Sequence, residues 1–165
     1  MKKQKLIKDL FLSLLYSGYC PKAPGTAGST LAVILGAPIV YYSRETLFLL
    51  SVFIALVAVK YIDLYEAHTH THDDKSIVID ELVGVWIAMS IIGFGVLELV
   101  LAFVFFRIFD ITKPSYIGKI DRECKGGLGV VGDDALAGVI AGLVGALLIL
   151  GAERFGILQD IPVWF

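Results

Sequence analysis

Four long stretches of this 165-residue chain are almost free of charge: Ala27–Ser43, Thr46–Val59, Leu82–Phe106 and Ala135–Ala152, with Glu98 the one acid among them. Apolar runs of this length restrict the fold severely, because a backbone inside lipid must satisfy its own hydrogen bonds and so becomes helix or closed barrel. A bilayer core needs ~20 helical residues to cross, and several of these stretches are shorter. Composition agrees with a membrane setting. Hydrophobic residues make up 57% of the chain, charged residues 18%, and the mean hydropathy is +0.80, against roughly 45–50% apolar and about 25% charged in soluble domains. The expected fold is all-α, a membrane-associated helical bundle.

Gly93–Phe94–Gly95 interrupts the third stretch, and a turn there divides it into a tight helical hairpin, in preference to one long helix. The predicted single domain then has about six helices: an N-terminal interfacial helix near residues 4–17 and apolar helices near 27–43, 46–62, 80–92, 96–110 and 134–152. The short arms suit a bundle that sits shallowly or thins the bilayer. With the N-terminus inside, only Arg44 and Arg154 of the fourteen lysines and arginines fall outside, as the positive-inside rule requires. The C-terminal GILQDIPVWF reads as an interfacial anchor. Cys20 and Cys124 fit no ligand or disulfide pattern and are expected as free thiols. Nothing points to a nucleic-acid partner, and the oligomeric state is not legible.

This topology puts every motif with chemical potential on the inner face. Asp80 and Glu81 open one apolar helix, and Asp133 and Asp134 open another. One aspartate suffices as an N-cap. Two acidic pairs on one face repel unless a cation lies between them, and hard oxygen ligands suit Mg2+. Arg107, Asp110 and Lys113 recur at intervals of three, which allows a local ion pair or a face offering cations to phosphate and a carboxylate to a metal. Pro114 ends that helix. In PKAPGTAGST, Pro24 and Gly25 form a turn and Thr26 can cap the next helix, leaving N–H groups suited to an anion. The IDRECKGGLG segment, with Arg122, reads as a flexible loop or a phosphate-cradling nest. His68, His70 and His72 alternate in a way that suggests zinc, but a solvated loop is the plainer reading.

Taken in order, PGTAGS, IVIDELVG, FRIFDITKP and GGLGVVGDDALAG resemble the phosphatidylglycerophosphatase A family, from Pro21 to Gly142. Val131 departs from the methionine of many relatives and is expected to alter packing only. The resemblance implies one central helix surrounded by others. It also implies Mg2+-dependent removal of the terminal phosphate from phosphatidylglycerophosphate, giving phosphatidylglycerol at the cytoplasmic face of the bacterial inner membrane. Carried onto this chain, Asp80, Glu81, Asp110, Asp133 and Asp134 would hold one or two Mg2+ ions, and Asp80, Asp110, Asp133 and Asp134 would be catalytic. Arg107, Lys113, Arg122 and Thr26 would bind phosphate. An aspartyl-phosphate intermediate is a variant of this mechanism. A CDP-alcohol phosphotransferase is disfavoured because its DxxDGxxAR signature is missing. The alternatives from other classes are a divalent-cation-binding or transporting membrane protein and a structural protein with heavily capped helices. A transporter would place acids near the midplane, where only Glu98 qualifies, and the hairpin puts it near the outer turn.

Overall fold

The computed structural model describes residues 6–69, 74–114, 117 and 124–156. All regular structure among them is helical: α1 (Pro24–Tyr42), α2 (Arg44–Thr69), α3 (Ile79–Ile92), α4 (Val96–Thr112) and α5 (Gly127–Arg154), preceded by a π-helical turn at Lys8–Leu12 and a 3-10 turn at Ser17–Tyr19. The hairpin forms where GFG predicts it. Gly93 takes a φ of +112°, a region costly for residues with a Cβ, and the Arg44 guanidinium packs where that Cβ would be.

α3 is the central helix. Every residue from Leu82 to Met89 is buried, and α1, α2, α4 and α5 all pack on it. Its apolar character all round, with no polar stripe, is what an enclosed helix requires. Glycines set how closely its neighbours approach. A Cβ at Gly138 of α5 would strike the Gly84 carbonyl of α3, and one at Gly84 would strike the Phe106 ring and the Asp134 carbonyl. Gly142 and Gly145 then meet Ile91 and Ile92. The contacts advance together along both chains, so α3 and α5 run parallel with their N-termini at one end. On the α1 side, Gly36 admits the Trp86 indole, which donates to the Ala32 carbonyl at 2.8 Å.

Among the described residues, three helices are long and apolar enough to cross a membrane: α1, α2 and α5. The 14-residue α3 is only about 21 Å long, short of a ~30 Å hydrocarbon core, and its neighbours enclose it. Apolar residues instead cover the outer faces. Phe53 and Leu56 of α2, Leu147 of α5, and Val96, Val100, Val104, Ile108 and Ile111 along α4 are all exposed.

Three boundaries differ from expectation by several residues. α2, predicted to end near residue 62, runs to Thr69, so His68 is helical and not in a loop. The N-terminal helix, predicted to about residue 17, stops at Leu12, and Leu14, Leu15 and Tyr16 follow with positive φ. Leu12 and Leu14 enter the core, and the Leu12 carbonyl accepts from Val78 N at 2.9 Å. This segment therefore braces the approach to α3. α5 starts at Gly127, seven residues before the predicted 134. The C-terminal anchor sequence from Ile157 lies outside the described residues.

Candidate active site

At the end of the bundle where α1, α3 and α5 begin and α4 finishes, a cavity of about 430 Å³ opens. Asp80, Glu81, Arg107, Asp110, Lys113, Asp133 and Asp134 all line it, with Pro24, Gly25, Lys75 and Cys124 among the other wall residues. Seven of the nine expected site residues thus come together from three helices and the Lys113 helix end. Thr26 is exposed and does not line the cavity. Arg122 lies outside the described residues, as do His70 and His72; His68 is exposed at the end of α2 and off the cavity.

The helix crossing explains how the acids meet. Asp80 precedes Gly84 by four residues, and Asp134 precedes Gly138 by four. Each carboxylate therefore stands one turn before the point where the two backbones touch. Ligand oxygens of Asp80, Glu81 and Asp134 all lie within 4.8 Å of one another. Asp133 and Asp134 are 3% and 4% exposed, so this is charge held away from water.

Capping does not account for these acids. Ala23 and Val78 precede α1 and α3 without a side-chain cap hydrogen bond, and Asp80 and Glu81 sit inside the first turn of α3. Asp133 and Asp134 lie well inside α5 rather than at its start. The expected Thr26 cap is also absent, because α1 already begins at Pro24. Asp63 of α2 does the work at α5, where its Oδ1 accepts from Gly127 N at 2.7 Å. Gly127 packs against the Val59 backbone, and Gly129 N and Val130 N donate to the Gly126 carbonyl. The GGLG glycines therefore serve helix packing, and these amides are not a nest for phosphate.

Two of the wall cations are tied to carboxylates. Arg107 Nη1 donates to Asp110 Oδ2 at 2.6 Å, and Lys113 Nζ to Asp133 Oδ2 at 2.7 Å. The first is the local i,i+3 pair that the spacing allows. The second joins the end of α4 to α5, with Lys113 turned into the left-handed region at φ 40°. Gly25 is closely fitted here: a Cβ would lie 2.5 Å from Glu81 Oε1 and 3.0 Å from Arg107 Nη1. The PGT turn thus brings the positive end of α1 against the acid cluster without a side chain in the way.

Among the described residues, five carboxylates and three cations face the cavity, an excess of two acidic groups. Asp80 Oδ1 and Glu81 Oε2 are buried without a hydrogen-bond partner among the described residues, as is Arg107 Nε. Buried, unpaired carboxylate oxygens are costly, so protons or a cation must neutralise them. Clustered hard oxygen donors, two excess acidic groups and unused lone pairs fit a divalent cation such as Mg2+.

The family model for phosphatidylglycerophosphatase A matches residues 10–149. The chain belongs to this family. It is 34% identical over 148 residues to the phosphatidylglycerophosphatase A of Haemophilus influenzae, covering 87% of this chain and 91% of the relative. It is 36% identical over 141 residues to the Escherichia coli protein of the same name, covering 82% and 78%. A Bacteroides thetaiotaomicron protein with the provisional name phosphatidylinositol-3-phosphatase is 34% identical over 146 residues, covering 84% and 91%. No solved structure matches the chain at a significant level.

Proposed function

We propose that this protein is a Mg2+-dependent phosphatase that hydrolyses the terminal phosphomonoester of phosphatidylglycerophosphate, at the cytoplasmic face of a bacterial inner membrane. The observation that carries the reading is the meeting of Asp80, Glu81 and Asp134 beside Arg107 and Lys113, in a chain whose relatives are named for that activity. Membrane placement draws on the three long apolar helices. The acids gather at one end of the bundle, while Glu98 stands in the first turn of α4, beside the GFG turn. That distribution favours a surface reaction over an ion path.

Asp80, Glu81 and Asp134 would hold the Mg2+, with Asp110 and Asp133 beside them. When bound, it supplies Lewis-acid polarisation of the phosphate. The remaining chemistry falls to the chain. The Arg107 guanidinium, already oriented by Asp110, offers its remaining N–H groups to phosphate oxygens, and Lys113 adds charge from the end of α4. A carboxylate of the cluster accepts a proton as water attacks phosphorus; the bond to the glycerol oxygen breaks, and the carboxyl group returns that proton to the leaving oxygen. Because a lipid headgroup lies at the interface, the acyl chains stay beside the apolar outer faces throughout.

Asp80→Asn and Asp134→Asn should each lower phosphate release at least about a hundredfold. Both should leave the thermal midpoint unchanged or raised, since each removes charge from a repelling cluster. Full activity in both variants would refute the site. Lost stability with retained specific activity would show the acids to be structural.

A further inference from the structure

Lys75 differs from the other two cations of the cavity wall. Arg107 and Lys113 are held by carboxylates, whereas Lys75 is exposed and makes no ion pair among the described residues. Its position is nevertheless fixed by its neighbour. Asp74 Oδ1 accepts from Ser76 N at 3.0 Å and Ser76 Oγ at 2.7 Å, and Asp74 Oδ2 accepts from Lys8 Nζ at 2.7 Å and Tyr65 Oη at 2.8 Å. The backbone on either side of Lys75 is thus anchored to the N-terminal segment and to α2, while its ammonium is left for an outside anion.

Burial orders the cavity. Asp133 and Asp134 lie on the buried floor and Lys75 at the rim. A phosphomonoester on the floor leaves the rest of the headgroup to pass the rim on its way to the lipid. We infer that Lys75 is a specificity-determining residue that binds the phosphodiester of the substrate, one glycerol unit from the reacting phosphate. The inference rests on the phosphatidylglycerophosphate reading. It assigns the floor to the monoester and the rim to the diester, so the enzyme recognises a lipid with two phosphates, not any terminal phosphate.

The test compares wild type, Lys75→Met and Lys75→Arg on phosphatidylglycerophosphate in mixed micelles, with two inhibitors. Phosphatidylglycerol carries only the diester; inorganic phosphate stands in for the monoester. Lys75→Met should raise KM and the inhibition constant of phosphatidylglycerol about tenfold each, the loss of one exposed charge-assisted contact. It should leave kcat and inhibition by inorganic phosphate within about twofold, and Lys75→Arg should restore both raised constants. An unchanged KM, or equal weakening of both inhibitors, would overturn the assignment while leaving the phosphatase reading intact. A wild type inactive on the lipid would remove both.

Discussion

At the residue scale, side chains four positions from a glycine crossing decide what this molecule can do. Asp80 and Asp134 are adjacent because Gly84 and Gly138 are. The helix that the GDD aspartates were expected to open starts seven residues earlier, and Asp63, from a different helix, accepts from its first amide, Gly127 N. Asp74 and Lys8 form a second kind of pair, away from the acid cluster. Burial alone would raise the Asp74 carboxyl, but hydrogen bonds from Lys8, Ser76 and Tyr65 outweigh it and hold its pKa well below the usual carboxylate range. Burial likewise opposes the charge on Lys8, and the bonds to Asp74 and Tyr65 overcome it, raising its pKa. The signs give two edges. The Asp74 contribution is full above about pH 4, its unfolded value, and disappears as pH falls toward its depressed folded value; the Lys8 contribution is full below about pH 10.4 and disappears as pH rises through its raised folded value. Thermal melts of the detergent-solubilised protein should therefore show acid and alkaline losses of stability that Asp74→Asn reduces. Coincident pH profiles would contradict the pairing.

At the scale of elements, the GFG hairpin and the end of α4 near Pro114 were legible, because glycine and proline act locally on the backbone. Seven of the eight acids and bases lining the cavity among the described residues were legible as a set, because they flank the apolar stretches on one expected face. The start of α5 was not. GGLGVVG has poor intrinsic helix propensity, and it becomes helical because Gly127 packs on the α2 backbone while Asp63 caps it. Those are tertiary causes with no local signature. Lys75 was passed over for a similar reason: in DDKSIVIDE it reads as an ordinary loop lysine until the fold puts it on the cavity rim. The glycine crossing supplies its own prediction. Gly138→Ala places a methyl against backbone that cannot swing aside, and overpacking of about 1–3 kcal/mol exceeds the gain of up to about 1 kcal/mol from alanine's helix propensity. The thermal midpoint should fall by about 2–6 °C, and activity should fall with it as α3 and α5 separate. A midpoint at or above wild type would show that the crossing relaxes freely.

For the whole molecule, three long helices, a shielded α3 and an acid-rich cavity at one end make a single statement about where chemistry occurs. On the proposed reading, the apolar exterior would keep the bundle in lipid, and the site would meet the headgroup layer without a path through the protein. The most direct measurement is phosphate release by the purified protein from phosphatidylglycerophosphate, set against glycerol 3-phosphate, with and without a chelator. The account predicts release from the lipid with Mg2+, at least about tenfold slower release from the soluble monoester, abolition by chelator and recovery when Mg2+ is restored. Undiminished release in chelator, or equal rates on both substrates, would contradict it.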